Sequence, residues 1–83
     1  MKIGEWYVQR FSDQELYFQP LAEQKNGGMS GVLYTVDLLR PRAKANPKKS
    51  SVWASEIRLT HQGSSGALWR WISSSSVPHH RFA

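Results

Sequence analysis

The segment with the clearest chemical character in this sequence is RPRAKANPKK, residues 40–49. It holds five Lys or Arg residues, no acidic residue, and two prolines that disfavour helix and ladder pairing. A cation that neutralises a phosphate releases condensed counterions, which supplies affinity for a polyanion without reading its sequence. The pattern predicts a long loop that contacts a nucleic-acid backbone through its five cations, which are Arg40, Arg42, Lys44, Lys48 and Lys49.

Aromatic and basic residues also alternate near the end of the chain, where Arg70 lies between Trp69 and Trp71. Proteins that bind single strands combine a basic groove with aromatic rings on which bases stack. The candidates for such a platform are Trp53, Trp69 and Trp71, with Arg58 and Arg70 nearby in sequence. Of these, we expect Trp69 and Trp71, with Arg58 and Arg70, to flank the basic loop and to favour a single-stranded ligand.

Each of these features also has a purely structural interpretation. A small sheet needs large side chains to fill its interior. A core position is therefore favoured for Trp6 and Trp53, and it stays open for Trp69 and Trp71. Most loops are solvated connections between elements, and the basic loop can be interpreted in this way too. Its length of about a dozen residues favours a function, since long structureless loops in compact domains tend to be functional or disordered.

The charge of the chain is divided unevenly along its length. Net charge is +5 and the sequence pI is about 10.0. Residues 1–39 hold three Lys or Arg and five Asp or Glu, whereas residues 40–83 hold eight Lys or Arg and one acid, Glu56. This asymmetry indicates a half that faces a polyanion, either nucleic acid or an acidic protein surface, although net positive charge also serves solubility.

A second function class therefore stays open, a protein–protein interaction module such as a homodimeric accessory protein of a mobile genetic element. The basic half would then dock on an acidic partner, and the apolar faces of residues 32–39 would form the contact between two copies. A third and less favoured interpretation is an enzyme whose site is assembled between subunits. We expect no enzymatic activity, because Asp13, Glu15, Glu56 and the pair His79–His80 form no recognisable catalytic or metal-binding pattern.

The composition predicts a cytoplasmic protein without a cofactor. The absence of cysteine excludes a disulfide scaffold and a thiolate zinc site, and it is typical of a reducing compartment. No apolar run approaches the roughly 18–20 residues needed to cross a bilayer, so no membrane association is expected.

Alternating apolar and polar residues predict an all-β chain of about five strands. We expect one small antiparallel sheet, curled or closed into a partly open barrel of the SH3 or OB type, and a tendency to form homo-oligomers. The sheet would form a single domain over residues 1–72, followed by a flexible tail over residues 73–83. For residues 52–61, a short helix capped by Ser51 is the alternative to a strand. The five predicted strands cover residues 3–11, 16–21, 29–39, 52–61 and 67–72.

Overall fold

The computed structural model describes residues 1–61 and 69–83, and at residues 58–61 it describes the backbone alone. These residues form one open antiparallel sheet of five strands. The strand order is β4-β3-β2-β1-β5, so β4 and β5 are the two edges. The predicted all-β class and the single, partly open sheet are confirmed. The strands are β1 (Trp6–Arg10), β2 (Gln14–Glu23), β3 (Met29–Asp37), β4 (Lys48–Val52) and β5 (Arg70–Ile72).

Both faces of the sheet carry buried side chains, because successive residues of a strand point to opposite faces. We name the two faces by what covers them. The tail face is covered by the C-terminal segment 73–83, and the helix face by the helix that follows β4. The buried residues are Trp6, Val8, Tyr17 and Val36 on the tail face, and Tyr7, Phe18, Met29, Val52 and Trp69 on the helix face.

Pro20 lies inside β2 rather than at a sheet edge, and a bulge accommodates it. The register of β2 against β3 shifts between Pro20 and Ala22, opposite Gly31. A Cβ atom at Gly31 would overlap the carbonyl oxygen of Gln19, so glycine allows the two backbones to approach closely here. Proline has no N–H to donate to the ladder of hydrogen bonds. A bulge tolerates it because the ladder is interrupted there.

The segment predicted as the fourth strand is instead a helix, α1 (Ala54–His61), and β4 comes before it. Glu56 stands at the third helical position, and its Oε2 accepts from the backbone N–H of Trp53 at 3.2 Å. This is one half of a capping box, and it starts the helix at Ala54. Ile57 packs against the core of the helix face. Within the described residues, no helix is both long and apolar enough to cross a membrane.

Residues 73–83, for which composition predicts a flexible tail, fold back over the sheet. They include two single-turn 3-10 helices, Ser74–Ser76 and His79–Arg81. Val77 is buried, and the ring of Phe82 stacks on Tyr34 at a centroid distance of 3.9 Å. Phe82 also forms a parallel bridge with Ala45, so this segment contacts both the sheet and the basic segment.

Candidate functional site

The basic segment, defined as residues 40–49, divides between a loop and the edge strand β4. Lys48 and Lys49 belong to β4, where they pair with Leu33 and Val32 of β3. The remaining three cations lie in the preceding loop. The side chains of all five cations are exposed, so none is taken up by the core. The prediction of one continuous loop over residues 40–49 is thus wrong at its C-terminal end.

Arg81 of the C-terminal segment anchors the loop part of the basic segment. Its guanidinium Nη2 donates to the backbone oxygens of Asp37 and Arg40, each at 3.1 Å, and of Ala43 at 3.4 Å. The backbone N–H of Ala45 donates to Arg81 O at 2.8 Å. Because three carbonyl groups meet one cation, the loop is fixed against the body of the protein.

Few acidic groups offset the cations of the basic segment. In the described part of the chain, one ion pair involves this segment, between Arg40 Nε and Asp37 Oδ2 at 3.7 Å, and both side chains are exposed. Lys44 Nζ donates to the carbonyl oxygen of His80. Exposed ion pairs are worth about 0–1 kcal/mol, so the segment keeps its positive potential.

The predicted aromatic platform lies at the other edge of the sheet. Arg70 and Trp71 belong to β5, four strand spacings from β4, or about 19 Å at about 4.8 Å per spacing. Trp69 is 6% exposed and packs on Phe18 at 5.6 Å, so it is a core residue. Trp71 is 59% exposed, and its Nε1 donates to Glu5 Oε2 at 3.3 Å.

The structure therefore does not bring the two predicted groups of site residues together. Arg70 and Trp71 instead line an open groove of about 920 Å³ at the β5 edge, beside Lys2, Glu5 and Tyr7. Arg58 lies in α1, and its side chain is outside the described residues.

Trp53, which the sequence places in the core, is 71% exposed. The preceding residue, Val52, ends β4 and is 2% exposed on the helix face. Trp53 comes directly before the first helical residue of α1, and there its side chain faces solvent instead of entering the core. The sequence assigns Trp53 to the core because the predicted strand over residues 52–61 turns this position inward.

A separate polar cluster lies near the β1–β2 turn. Glu15 accepts from Arg10 Nε at 3.0 Å and from the hydroxyl of Tyr17 at 2.9 Å. Burial is the largest cause that raises the pKa of Tyr17, to about 12, and the hydrogen bond to Glu15 is the next largest. Within the described residues, no three His, Asp or Glu side chains are grouped closely enough to hold a metal ion.

Comparison with known proteins assigns this chain to no family. No protein-family model, no curated protein and no solved structure matches the chain. The site must therefore be interpreted from its own geometry and charge.

Proposed function

We propose that the protein binds nucleic acid through phosphate contacts made by the basic segment, with a preference for single strands. The observation that supports this function is the exposure of five cations within ten residues, three in a loop anchored by Arg81 and two on β4, accompanied by one weak ion pair. Such an arrangement neutralises phosphates and is indifferent to base sequence.

The salt dependence of the affinity follows from the number of phosphates contacted. For single strands, the logarithm of the affinity falls with the logarithm of the salt concentration by about 0.7 per neutralised phosphate. Three to five contacts give a slope of about −2 to −3.5. A solvated connection without a ligand has no such dependence.

Charge reversal on the edge strand tests this proposal. The double variant Lys48→Glu/Lys49→Glu removes two exposed cations, and we expect weaker binding to a labelled single-stranded oligonucleotide. The salt slope should become shallower by about 1.4, since each lost contact removes about 0.7. Fluorescence anisotropy at several salt concentrations measures both quantities.

The matched control is Lys2→Glu/Arg70→Glu, which changes the net charge equally in the groove at the β5 edge. This variant should bind with nearly the affinity and slope of the wild type. Equal weakening by both variants would show that overall charge rather than the basic segment holds the ligand. Unchanged binding by Lys48→Glu/Lys49→Glu would make the assignment of the site wrong.

A second candidate function is a protein–protein contact, and exposed apolar side chains support it. Leu39 is 75% exposed and Leu38 is 40% exposed, directly after β3, where the N–H of Leu38 donates to the backbone oxygen of Asp13 in the β1–β2 turn. Other apolar residues of 32–39 are used within the chain, since Val36 is buried, Leu33 packs against the core of the helix face and Tyr34 stacks on Phe82. Sedimentation that detects a dimer in the wild type and a monomer in Leu39→Asp would support this candidate.

A further inference from the structure

Trp53 presents its indole ring from a fixed backbone. Its N–H donates to Glu56 Oε2, and its carbonyl oxygen accepts from the N–H of Ile57, both at 3.2 Å. The backbone is therefore held at the start of α1, while the side chain is 71% exposed. Because the backbone is already fixed, the ordering entropy lost when a planar ligand stacks on the ring is limited to the rotamers of this one side chain.

A small pocket of about 280 Å³ lies beside Trp53. Its other lining residues are Gln24, Asn26, Ser51 and Val52. The amide Nε2 of Gln24 donates to Ser51 Oγ at 3.1 Å, and Asn26 Oδ1 accepts from the N–H of Gly28 at 2.9 Å. The pocket thus combines an aromatic wall with side-chain amides and a hydroxyl, the groups that hydrogen-bond the edges of unpaired bases.

The pocket continues into the basic segment along the β4 edge. Ser51 also lines a neighbouring open groove of about 390 Å³, together with Lys49, Leu21 and Val32. Lys49 and Ser51 are two residues apart on one strand and so point to the same face, about 6.6 Å from each other along it. An exposed cation, a hydroxyl and an exposed indole therefore follow one another along a single surface.

We propose that Trp53 and the pocket lined by Gln24, Asn26 and Ser51 form the base-stacking position of this protein, which selects single-stranded over double-stranded nucleic acid. This inference rests on the proposed function, since Lys48 and Lys49 supply the phosphate contacts on either side of the edge strand. A base in a duplex is stacked and paired, so it cannot enter the pocket without being flipped out. The aromatic position is thus at the β4 edge, and not at Trp69 or Trp71.

The test compares two exposed tryptophans at opposite edges of the sheet. Single- and double-stranded oligonucleotides of equal length are titrated with the wild type, Trp53→Ala, Trp53→Phe and the matched control Trp71→Ala. We expect Trp53→Ala to lower single-strand affinity about 5- to 150-fold, the range of one lost base–aromatic stack. Duplex affinity should change less than twofold, Trp53→Phe should retain most single-strand affinity, and Trp71→Ala should match the wild type.

Tryptophan fluorescence gives an independent readout in the same titrations. Single-strand binding should quench emission in the wild type and in Trp71→Ala, and this quenching should be lost in Trp53→Ala. Urea unfolding checks that the variants are folded, which is expected because Trp53 is exposed.

The failure of this inference differs from the failure of the proposed function. Wild-type single-strand affinity in Trp53→Ala, with weakened binding in Lys48→Glu/Lys49→Glu, would refute the stacking position and leave the phosphate contacts intact. No binding of either oligonucleotide by the wild type at low salt would overturn both.

Discussion

At the scale of single residues, Arg81 connects the stability of the chain to the candidate site. Its Nη2 donates to three backbone oxygens of residues 37–43, and two of these, those of Asp37 and Arg40, also accept from backbone N–H groups of the loop. Hydrogen bonds from a charged donor contribute about 1.5–3 kcal/mol. The shape of the basic loop thus depends on a residue nearly forty positions away in the sequence.

Replacing Arg81 by methionine should destabilise the protein by about 1–3 kcal/mol in urea unfolding, because three carbonyl groups lose their charged donor. Arg42→Met is the matched control. Arg42 is exposed in the same loop, and its substitution should change the free energy of unfolding by less than about 0.5 kcal/mol. Equal stabilities of the two variants would contradict the anchoring role of Arg81.

Tyr17 makes the stability of the fold depend on pH in the alkaline range. Burial and the hydrogen bond to Glu15 raise its pKa from 10.0 to about 12, so the folded state keeps a proton that the unfolded state releases. The stabilising contribution is complete below pH 10 and is lost as the pH rises from about 10 towards 12.

The Tyr17→Phe variant should therefore show a smaller decrease in the free energy of unfolding between pH 9 and about 11.5 than the wild type. Its tyrosinate absorbance should also lack the step of Tyr17 near pH 12. An absorbance titration in which this step persists in Tyr17→Phe would contradict the raised pKa of Tyr17.

At the scale of elements, the strands that alternate clearly were predictable, and those that depend on partners were not. The predicted segments 3–11, 16–21 and 29–39 contain or overlap β1, β2 and β3, because apolar residues recur at every second position along them. β4 is the polar segment KKSSV, and its strand conformation comes from pairing with β3 rather than from its own pattern. No local signal marks such a strand.

The sequence favours a strand over the helix α1 for a similar reason. Residues 54–61, ASEIRLTH, contain β-branched residues that favour strands, and Trp53 at the cap position has no side-chain acceptor. The carboxylate of Glu56 and the packing of Ile57 compensate for this, and the second of these exists only in the folded protein. The orientation of Trp53, and with it the proposed base-stacking position, depends on this one element.

The contribution of the C-terminal segment to the stability of the fold can be tested at Phe82. Phe82 stacks on Tyr34 and also lies within 6 Å of the rings of Trp6 and Tyr17. Phe82→Ala should destabilise the fold by about 2–3 kcal/mol, below the 3–5 kcal/mol of a fully buried phenylalanine because Phe82 is half-buried. Chemical denaturation measures this loss.

The control for Phe82 is His80→Ala in the same 3-10 turn, where the side chain is exposed. It should leave stability within about 0.5 kcal/mol of the wild type. A Phe82→Ala variant as stable as this control would mean that residues 73–83 behave in solution as the flexible tail that composition predicts.

At the scale of the whole molecule, the open sheet separates two surfaces of different character. The β4 edge carries Lys48, Lys49 and the exposed Trp53, whereas the β5 edge carries a mixed groove in which Glu5 lies among Lys2 and Arg70. The charge asymmetry is a property of the sequence itself, and the five cations of the basic segment are exposed in the fold. The sequence could not predict which tryptophan lies at the same edge as Lys48 and Lys49, because that depends on strand order, and strand order is set by contacts distant in sequence.

The most direct test of the central claim is a titration of a labelled single-stranded oligonucleotide with the wild-type chain over a series of salt concentrations. The account predicts micromolar or tighter binding at low salt, with a log–log slope of about −2 to −3.5 from three to five phosphate contacts. An absence of binding at low salt would contradict it, and the basic segment would then be a docking surface for an acidic protein or a solvated connection.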